Sequence, residues 1–195
     1  KFGTNLAGSY GYGDFARTEG HLGLRGMIQC ALAINPGMPV YGQDGSYNSE
    51  FDDPMGAPVE NPLFIAENFS DKRNMKDFIV NNYLDYEFIP GLNFRTSFGL
   101  KFNLNQTELW KSSKIGTYAD KSSPATAAAI DKKGLNWLNE NTLTYKKNFN
   151  EKHDLNVVAG LTVQKDTYSQ LSAGATDFPT DYIDYLSAGT INSGT

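Results

Sequence analysis

The segment from Leu92 to Leu104, LNFRTSFGLKFNL, alternates apolar and polar residues at nearly every position. Successive side chains of a β-strand point to opposite faces, so this segment predicts a strand with one apolar and one polar face. Thr96 is the single polar residue on the apolar face. The strand is much longer than the ~5–6 residues usual in soluble proteins. It slightly exceeds the ~9–11 residues that cross a bilayer at a tilt, which is typical of a membrane-spanning strand.

Further segments repeat this alternation and predict about five strands in all. Phe78–Phe88 precedes the first segment, while Leu135–Phe149 and His153–Asp166 form a second antiparallel pair. The N-terminal segment, Lys1–Phe15, alternates aromatic and aliphatic residues with small or polar ones. An all-β fold built from long antiparallel strands follows from this pattern.

The connections between these strands are of two unequal kinds. Ile89–Gly91 and Asn148–Lys152 are short, and the Pro-Gly pair in the first predicts a tight turn, since Pro presets φ and Gly permits positive φ. Two others are long, near 16–73 and near 112–133, and the alanine-rich run Ala125–Ile130 predicts a short helix in the second. Short periplasmic turns and long extracellular loops are typical of bacterial outer-membrane barrels.

Composition supports a barrel and excludes several other classes. Aromatic residues make up 13% of the chain although its mean hydropathy is negative, as expected when an apolar outer face encloses a polar lumen. The net charge is −5 and no basic stripe is present, which argues against nucleic acid binding. No apolar run approaches the ~20 residues of a transmembrane helix.

Motifs that would carry catalysis, a cofactor or a metal are weak. Gly11–Ala16 fits the dinucleotide pattern, but a poor helix start follows it, so a strand-to-loop transition is the better interpretation. Asp44-Gly45 predicts a turn, with a loop-bound cation as the alternative. His21 and His153 lack metal-ligand spacing, and Cys30 is interpreted as a buried or incidental thiol. We therefore expect a protein that is not an enzyme, with no cofactor, no metal site and no catalytic residue.

An ordered series of short motifs resembles the SusC/RagA family of TonB-linked outer-membrane proteins across nearly the whole chain. No single motif is specific, whereas their order and spacing are. The motifs are Pro36–Tyr47, Asn61-Pro62-Leu63, Asn82–Glu87, Pro90–Gly99, Asn139–Tyr145, His153–Gly160 and Phe178–Asp181.

This resemblance implies a bacterial outer-membrane transporter with a large, plugged, 22-stranded barrel. It implies import of glycan oligosaccharides or peptides, a SusD-like surface lipoprotein as partner, and energy supplied by TonB through a plug domain. Residues 1–195 are then a partial barrel domain in contact with outer-membrane lipid, and no plug domain or TonB box has a counterpart among them. Substrate identity and the gating residues are left open by the sequence.

The long first loop carries the candidate contact residues. Its rings at Tyr41, Tyr47 and Phe51 can stack on sugars or pack against a partner, and the alternative is that they pack the loop onto the barrel rim. Prolines stiffen the loop by fixing φ: Pro36, Pro39, Pro54, Pro58 and Pro62.

Two other classes of protein compete with the transporter. A soluble all-β carbohydrate-binding or glycan-degrading domain requires a second sheet packed on the first, shorter strands and frequent turns. A purely structural barrel is the third class, and the long first loop argues against it, since long loops usually carry function.

Overall fold

The computed structural model describes residues 1–16, 26–48, 59–116, 122–149 and 152–194. Within these residues the chain forms six strands, two short helices and one 3-10 turn. The elements are β1 (Phe2–Asp14), α1 (Met27–Ala33), α2 (Pro62–Asn68), β2 (Phe69–Ile89), β3 (Leu92–Lys111), β4 (Thr126–Phe149), β5 (His153–Thr176), the 3-10 turn (Leu186–Ala188) and β6 (Thr190–Gly194).

The strands form one antiparallel sheet in the order β1-β2-β3-β4-β5-β6, so every strand pairs with its neighbour in sequence. Within the described residues β1 and β6 are the two edges, and the sheet is open. β2 to β5 contain 21, 20, 24 and 24 residues, which is long enough to cross a bilayer and to continue well beyond it. The predicted fold class, long antiparallel strands of a large barrel, is confirmed.

The sheet contains the five predicted long strands and one short strand in addition, β6. β6 has only five residues, with the sequence TINSG, and it pairs antiparallel with the end of β5. Such a short segment, ending in Ser and Gly, offers too few positions for an alternation to be recognised in the sequence.

The predicted helix over Ala125–Ile130 is wrong, because β4 begins at Thr126. Helix propensity is a weak preference that tertiary context overrides. Here the context is pairing with β3, in which the Gln106 amide donates to Asp131 at 3.2 Å. The connection before β4 is therefore shorter than the range near 112–133. The connection before β2 ends at Asn68 and contains both helices.

The Pro90-Gly91 turn forms as predicted. Gly91 has φ +85°, the value required at the second central position of a type II turn. The backbone N–H of Lys146 in β4 donates to the Gly91 carbonyl at 2.7 Å, so the turn is also tied to the strand next to β3.

The chain divides into two compact units, which we describe separately. Unit 1 comprises Lys1–Gly11, Met75–Asn105 and Lys132–Gln170, and unit 2 comprises Tyr12–Asn74, Gln106–Asp131 and Leu171–Thr195.

In unit 1 the strand register brings the apolar side chains of all five long strands to one face. Cross-strand contacts on this face join Phe88 to Phe94, at 6.2 Å between ring centroids, and Phe98 to Trp137, at 6.3 Å. We call it the apolar face. Its apolar members are Phe2, Leu6, Tyr10, Phe78, Val80, Leu84, Tyr86, Phe88, Leu92, Phe94, Phe98, Leu100, Phe102, Leu104, Leu135, Trp137, Leu143, Tyr145, Phe149, Leu155, Val157, Ala159, Leu161 and Val163.

The amide and hydroxyl side chains that lie among the apolar members of this face bond to one another or to the backbone. The Thr96 hydroxyl donates to the Asn141 side chain at 2.8 Å, and the Asn141 amide donates to Asn139 at 2.6 Å. The Thr4 hydroxyl donates to Asn82 at 2.8 Å. Polar groups that are already hydrogen-bonded to each other can be moved out of water at a small cost in free energy. These residues are therefore compatible with an apolar environment.

No described apolar side chain of unit 1 is buried, and every buried one belongs to unit 2. Phe2, Leu6 and Leu161 are 71%, 67% and 64% exposed. Unit 1 is thus a single sheet layer whose apolar face lacks a covering layer in the described part of the chain. Unit 2 contains a small core of Cys30, Val59 and Ile65, with Met27, Ile34 and Phe69 packed against it.

Candidate functional site

A small hairpin at residues 40–48, in the first long connection, carries two of the candidate contact residues. Tyr41 and Tyr47 form an antiparallel bridge, and the Gly42 N–H donates to the Ser46 carbonyl at 2.8 Å. At its tip Gly45 has φ +80°, and Ser46 donates to Asp44 from both its backbone N–H and its hydroxyl. These bonds hold the pKa of Asp44 below its usual value. The predicted Asp44-Gly45 turn is confirmed.

Asn61 attaches this hairpin to α2. Its side-chain amide donates to the carbonyl of Val40 at 3.0 Å and to that of Asn48 at 3.1 Å, which are the two ends of the hairpin. Its side-chain oxygen accepts the Leu63 N–H at 3.0 Å and so caps α2. Asn61 is only 3% exposed, so one buried side chain fixes both elements.

The rings of the hairpin form a connected aromatic cluster. The centroids of Tyr41 and Tyr47 lie 5.0 Å apart, and Tyr47 meets Phe64 edge-on at 5.7 Å. A hydrogen bond to Glu67 is the main cause that raises the pKa of Tyr47, together with partial burial and its contact with Tyr41. Tyr41 remains 53% exposed, so part of a positioned ring faces outward. Phe51 lies outside the described residues.

The structure therefore brings Tyr41 and Tyr47 together, which sequence reasoning did not predict. That reasoning also missed Asn61, Phe64 and Glu67. An Asn followed by Pro is a recognisable helix start, so the cap on α2 could have been found from the sequence. Its bonds to the hairpin could not, because they join residues far apart in the chain.

Replacement of Asn61 by Ala should release the hairpin from α2. Loss of a helix cap costs about 1 kcal/mol, and the backbone carbonyls of Val40 and Asn48 each lose one donor as well. We expect faster amide hydrogen exchange in residues 40–48 and 62–68 of the full-length protein. Asn35→Ala, at an exposed position of the same connection, is the control, and equal exchange in both variants would contradict this role of Asn61.

A second candidate surface is the opposite side of the unit 1 sheet, which we call the polar face. Arg95 lies over the ring of Tyr83 at 5.0 Å and pairs with Asp85 at 3.9 Å. Ser97 donates to Glu140 at 3.2 Å. Most of its side chains are charged, amide or hydroxyl groups, although Ile79, Leu138 and Val158 interrupt them. The face is therefore suited mainly to water or a polar ligand.

A third feature joins the connection after β3 to the segment before the 3-10 turn. The Asp181 carboxylate accepts the Ser113 N–H at 2.9 Å and the hydroxyls of Ser112 and Ser113 at 2.9 and 2.8 Å. Partial burial acts to raise the pKa of Asp181, but these bonds and the charge of Lys114 together lower it. Nearby, Trp110 and Phe178 pack edge to face at 4.7 Å.

Within the described residues no group of three His, Cys, Asp or Glu side chains is arranged to hold a metal ion. No helix in the same part of the chain is both long and apolar enough to cross a membrane.

Comparison with known proteins identifies relatives along nearly the whole chain. No protein-family model matches. The chain is 31% identical over 188 residues, 95% of its length, to TonB-dependent receptor P3 of Formosa agariphila. It is a segment of a TonB-dependent receptor. A second relative, TonB-dependent receptor P26 of the same organism, is 29% identical over 137 residues, or 69% of the chain. The segment spans 18% and 14% of the lengths of these two receptors.

Solved structures agree on the fold of this TonB-dependent receptor segment. It matches the RagAB peptide importer in its open-open state with a TM-score of 0.77 and 16% identity, over 100% of the segment and 22% of that chain. It matches the RagAB peptide transporter with a TM-score of 0.77 and 18% identity, over 98% of the segment and 21% of that chain. The six strands are thus arranged as in part of a solved barrel.

Proposed function

We propose that this chain forms part of the wall of an outer-membrane β-barrel that imports an oligomeric nutrient. The observation that carries the proposal is the uncovered apolar face of unit 1. Leaving one large apolar side chain in water rather than burying it forgoes about 1.5–3 kcal/mol, and this face repeats that exposure on five strands. Contact with lipid acyl chains would shield all of these side chains from water and so remove this free-energy cost along the whole face.

The polar face supports a passage rather than a second packed layer. Its ion pair of Arg95 and Asp85 and its Ser97–Glu140 bond would be costly to cover with an apolar sheet. A water-filled or plugged lumen keeps these groups solvated or paired. The same argument disfavours a soluble carbohydrate-binding or glycan-degrading sandwich, which needs an apolar layer between two sheets.

The proposed cargo is an oligosaccharide or a peptide, and the proposed partner is a SusD-like surface lipoprotein. The similarity of the fold to the RagAB peptide importer favours the peptide. The proposed contacts to substrate or partner are Tyr41 and Tyr47, together with Phe51 from the same connection. Aromatic rings can stack on a sugar and can also pack against a protein partner. TonB would act through a plug domain elsewhere in the receptor, and the chain itself is proposed to have no catalytic role.

The full-length receptor, purified by affinity from its native membrane, tests this function. We expect it in the outer-membrane fraction together with a surface lipoprotein, and we expect slower growth on one class of glycan or peptide after gene deletion. Recovery without a lipoprotein, combined with unchanged growth on all complex glycans and peptides, would refute the import proposal. Growth on single glycans and single peptides as sole nutrients separates the two cargo classes.

The topology of the proposed barrel has its own test. The 40–48 hairpin is expected outside the cell and the turn between β4 and β5 in the periplasm, as long loops and short turns are in known barrels. In intact cells, Ser46→Cys should therefore react with a membrane-impermeant thiol reagent, whereas Lys152→Cys should react only after lysis. Labelling of Lys152→Cys alone in intact cells would mean that the orientation is inverted.

A further inference from the structure

The aromatic cluster of the 40–48 hairpin and α2 includes a carboxylate that has no cationic partner among the described residues. Glu67 lies about one helical turn after Phe64 on α2 and is exposed. It shares a hydrogen bond with the Tyr47 hydroxyl, and no ion pair of the described residues includes it. An ionised carboxylate has about four acceptor positions, so Glu67 keeps most of them open to a ligand.

The rings beside Glu67 form a surface that is fixed in place and partly open. Asn61 joins the hairpin to α2 and so holds the rings of Tyr41 and Tyr47 beside Phe64. Tyr41 is 53% exposed, whereas Tyr47 and Phe64 are partly buried. The described cation–π contacts are at other rings, namely Phe15, Tyr83 and Phe149. Within that part of the chain, no Lys or Arg covers the rings of this cluster.

The chain around the cluster carries only negative charge. Positions 26–68 contain no Lys, Arg or His. The same positions contain six carboxylates: Asp44, Glu50, Asp52, Asp53, Glu60 and Glu67. Lys72 and Arg73, the next cations along the chain, already form ion pairs with other carboxylates. Uncompensated carboxylates create a negative potential that attracts cationic ligands and repels anionic ones.

We propose that this cluster binds the cationic side chain of a Lys or Arg residue in a peptide cargo. We call it the cation site, formed by Tyr41, Tyr47, Phe64 and Glu67. A cation within ~6 Å of a ring centroid is attracted by the negative face of the ring, and Glu67 supplies the opposite charge. An Arg guanidinium can stack on the half-exposed Tyr41 ring while its N–H groups donate to a carboxylate. The inference rests on the proposed function and deepens it, since it selects basic peptides among the possible cargoes.

Two other roles explain less of this geometry. Packing of the hairpin on α2 explains the contacts among the rings, but it leaves the exposed part of Tyr41 and the charge of Glu67 without a role. A neutral oligosaccharide can stack on Tyr41, but it gains nothing from the negative potential of the surrounding carboxylates. A cationic group uses the rings, the Glu67 carboxylate and the surrounding charge together.

Isothermal titration calorimetry on the full-length receptor in lipid nanodiscs, with any lipoprotein that copurifies, tests the cation site. Two short peptides with blocked ends carry either Arg or citrulline at one position, because citrulline keeps the shape of Arg but is neutral. We expect the Arg peptide to bind roughly tenfold more tightly, which corresponds to about 1.4 kcal/mol. The two affinities should become nearly equal in Glu67→Gln, which keeps an acceptor for Tyr47, and in Tyr41→Leu, which removes the half-exposed ring.

Matched controls remove the same kinds of group elsewhere in unit 2. Glu60→Gln removes one carboxylate from the same connection and keeps an acceptor for the Asn61 N–H. Tyr185→Leu removes a ring that is 75% exposed but is not part of the site. Both variants should keep the preference of the unmodified receptor for the Arg peptide. If Tyr41→Leu disturbs the hairpin, Glu67→Gln alone decides the test.

Equal affinities of the unmodified receptor for the two peptides would overturn the inference. The same loss in Glu60→Gln as in Glu67→Gln would assign the preference to overall charge and would also overturn it. Displacement of the Arg peptide by a neutral oligosaccharide, with no effect of Glu67→Gln, would assign the rings to a sugar and reject the cation site. Absence of the receptor from the outer membrane would refute the proposed function itself, whereas peptide binding that ignores the charge of Arg refutes only the cation site.

Discussion

Phe98→Arg in the full-length receptor is expected to lower the yield of the folded barrel strongly. Phe98 lies within the apolar face of β3, and its ring stacks on Trp137 of the neighbouring strand. An Arg on the lipid face at the middle of the bilayer costs about 2–4 kcal/mol. This corresponds to a folded-to-unfolded ratio lower by roughly 30- to 1000-fold, before the loss of the ring contact is counted.

Ser97→Arg, one residue earlier, is the matched control. The Ser97 side chain lies on the polar face, where its hydroxyl donates to Glu140. An Arg at this position can pair with the Glu140 carboxylate in a solvated environment, so we expect nearly normal assembly. Phe98→Leu, which keeps an apolar side chain on the apolar face, should also assemble.

Assembly is measured as the fraction of outer-membrane receptor that migrates as the compact folded form in an unheated denaturing gel, supported by urea titration of the folded barrel. If the two faces are assigned correctly, the folded fraction should fall strongly for Phe98→Arg and stay nearly normal for Ser97→Arg and Phe98→Leu. Similar yields for Phe98→Arg and Ser97→Arg would mean that the two faces of β3 meet similar environments, and the barrel interpretation of unit 1 would be abandoned.

The alternation in the sequence was sufficient to predict the long strands and the composition of both faces. The reason is that successive side chains of a strand point to opposite faces. Apolar residues at every second position can therefore be recognised without knowing which strand pairs with which. Leu92–Leu104 is the clearest case. The structure adds the register between the strands, which places the apolar residues of five strands on one face of the sheet.

Sequence reasoning failed where contacts between distant residues decide the local structure. The alanine-rich run at Ala125–Ile130 favours a helix in isolation, yet pairing with β3 makes most of it strand. In the first connection, the contact of Asn61 with Val40 and Asn48 has no periodic pattern that could predict it. The sequence therefore identifies Tyr41 and Tyr47 only as aromatic loop residues and does not show that they form one cluster with Phe64.

Gly91→Ala is expected to be the most damaging small substitution in the short turns. Gly91 has φ +85°, where a residue with a Cβ atom loses about 1–2 kcal/mol. A Cβ atom there would also overlap the backbone carbonyl oxygen of Lys146, which cannot move as a flexible side chain would. Relief of the overlap requires the turn to move away from β4, and this breaks the 2.7 Å bond from the Lys146 N–H to the Gly91 carbonyl.

Gly45→Ala separates these two effects, because Gly45 has φ +80° but nothing lies within 4 Å of the Cβ position. This substitution should cost only the roughly 1 kcal/mol that a residue with a Cβ atom loses at positive φ. Any structural change should stay within the 40–48 hairpin. We expect the urea midpoint of barrel unfolding to fall markedly for Gly91→Ala and hardly at all for Gly45→Ala. Equal midpoints for the two variants would show that the close approach of Gly91 to Lys146 adds nothing to barrel stability beyond the cost of positive φ.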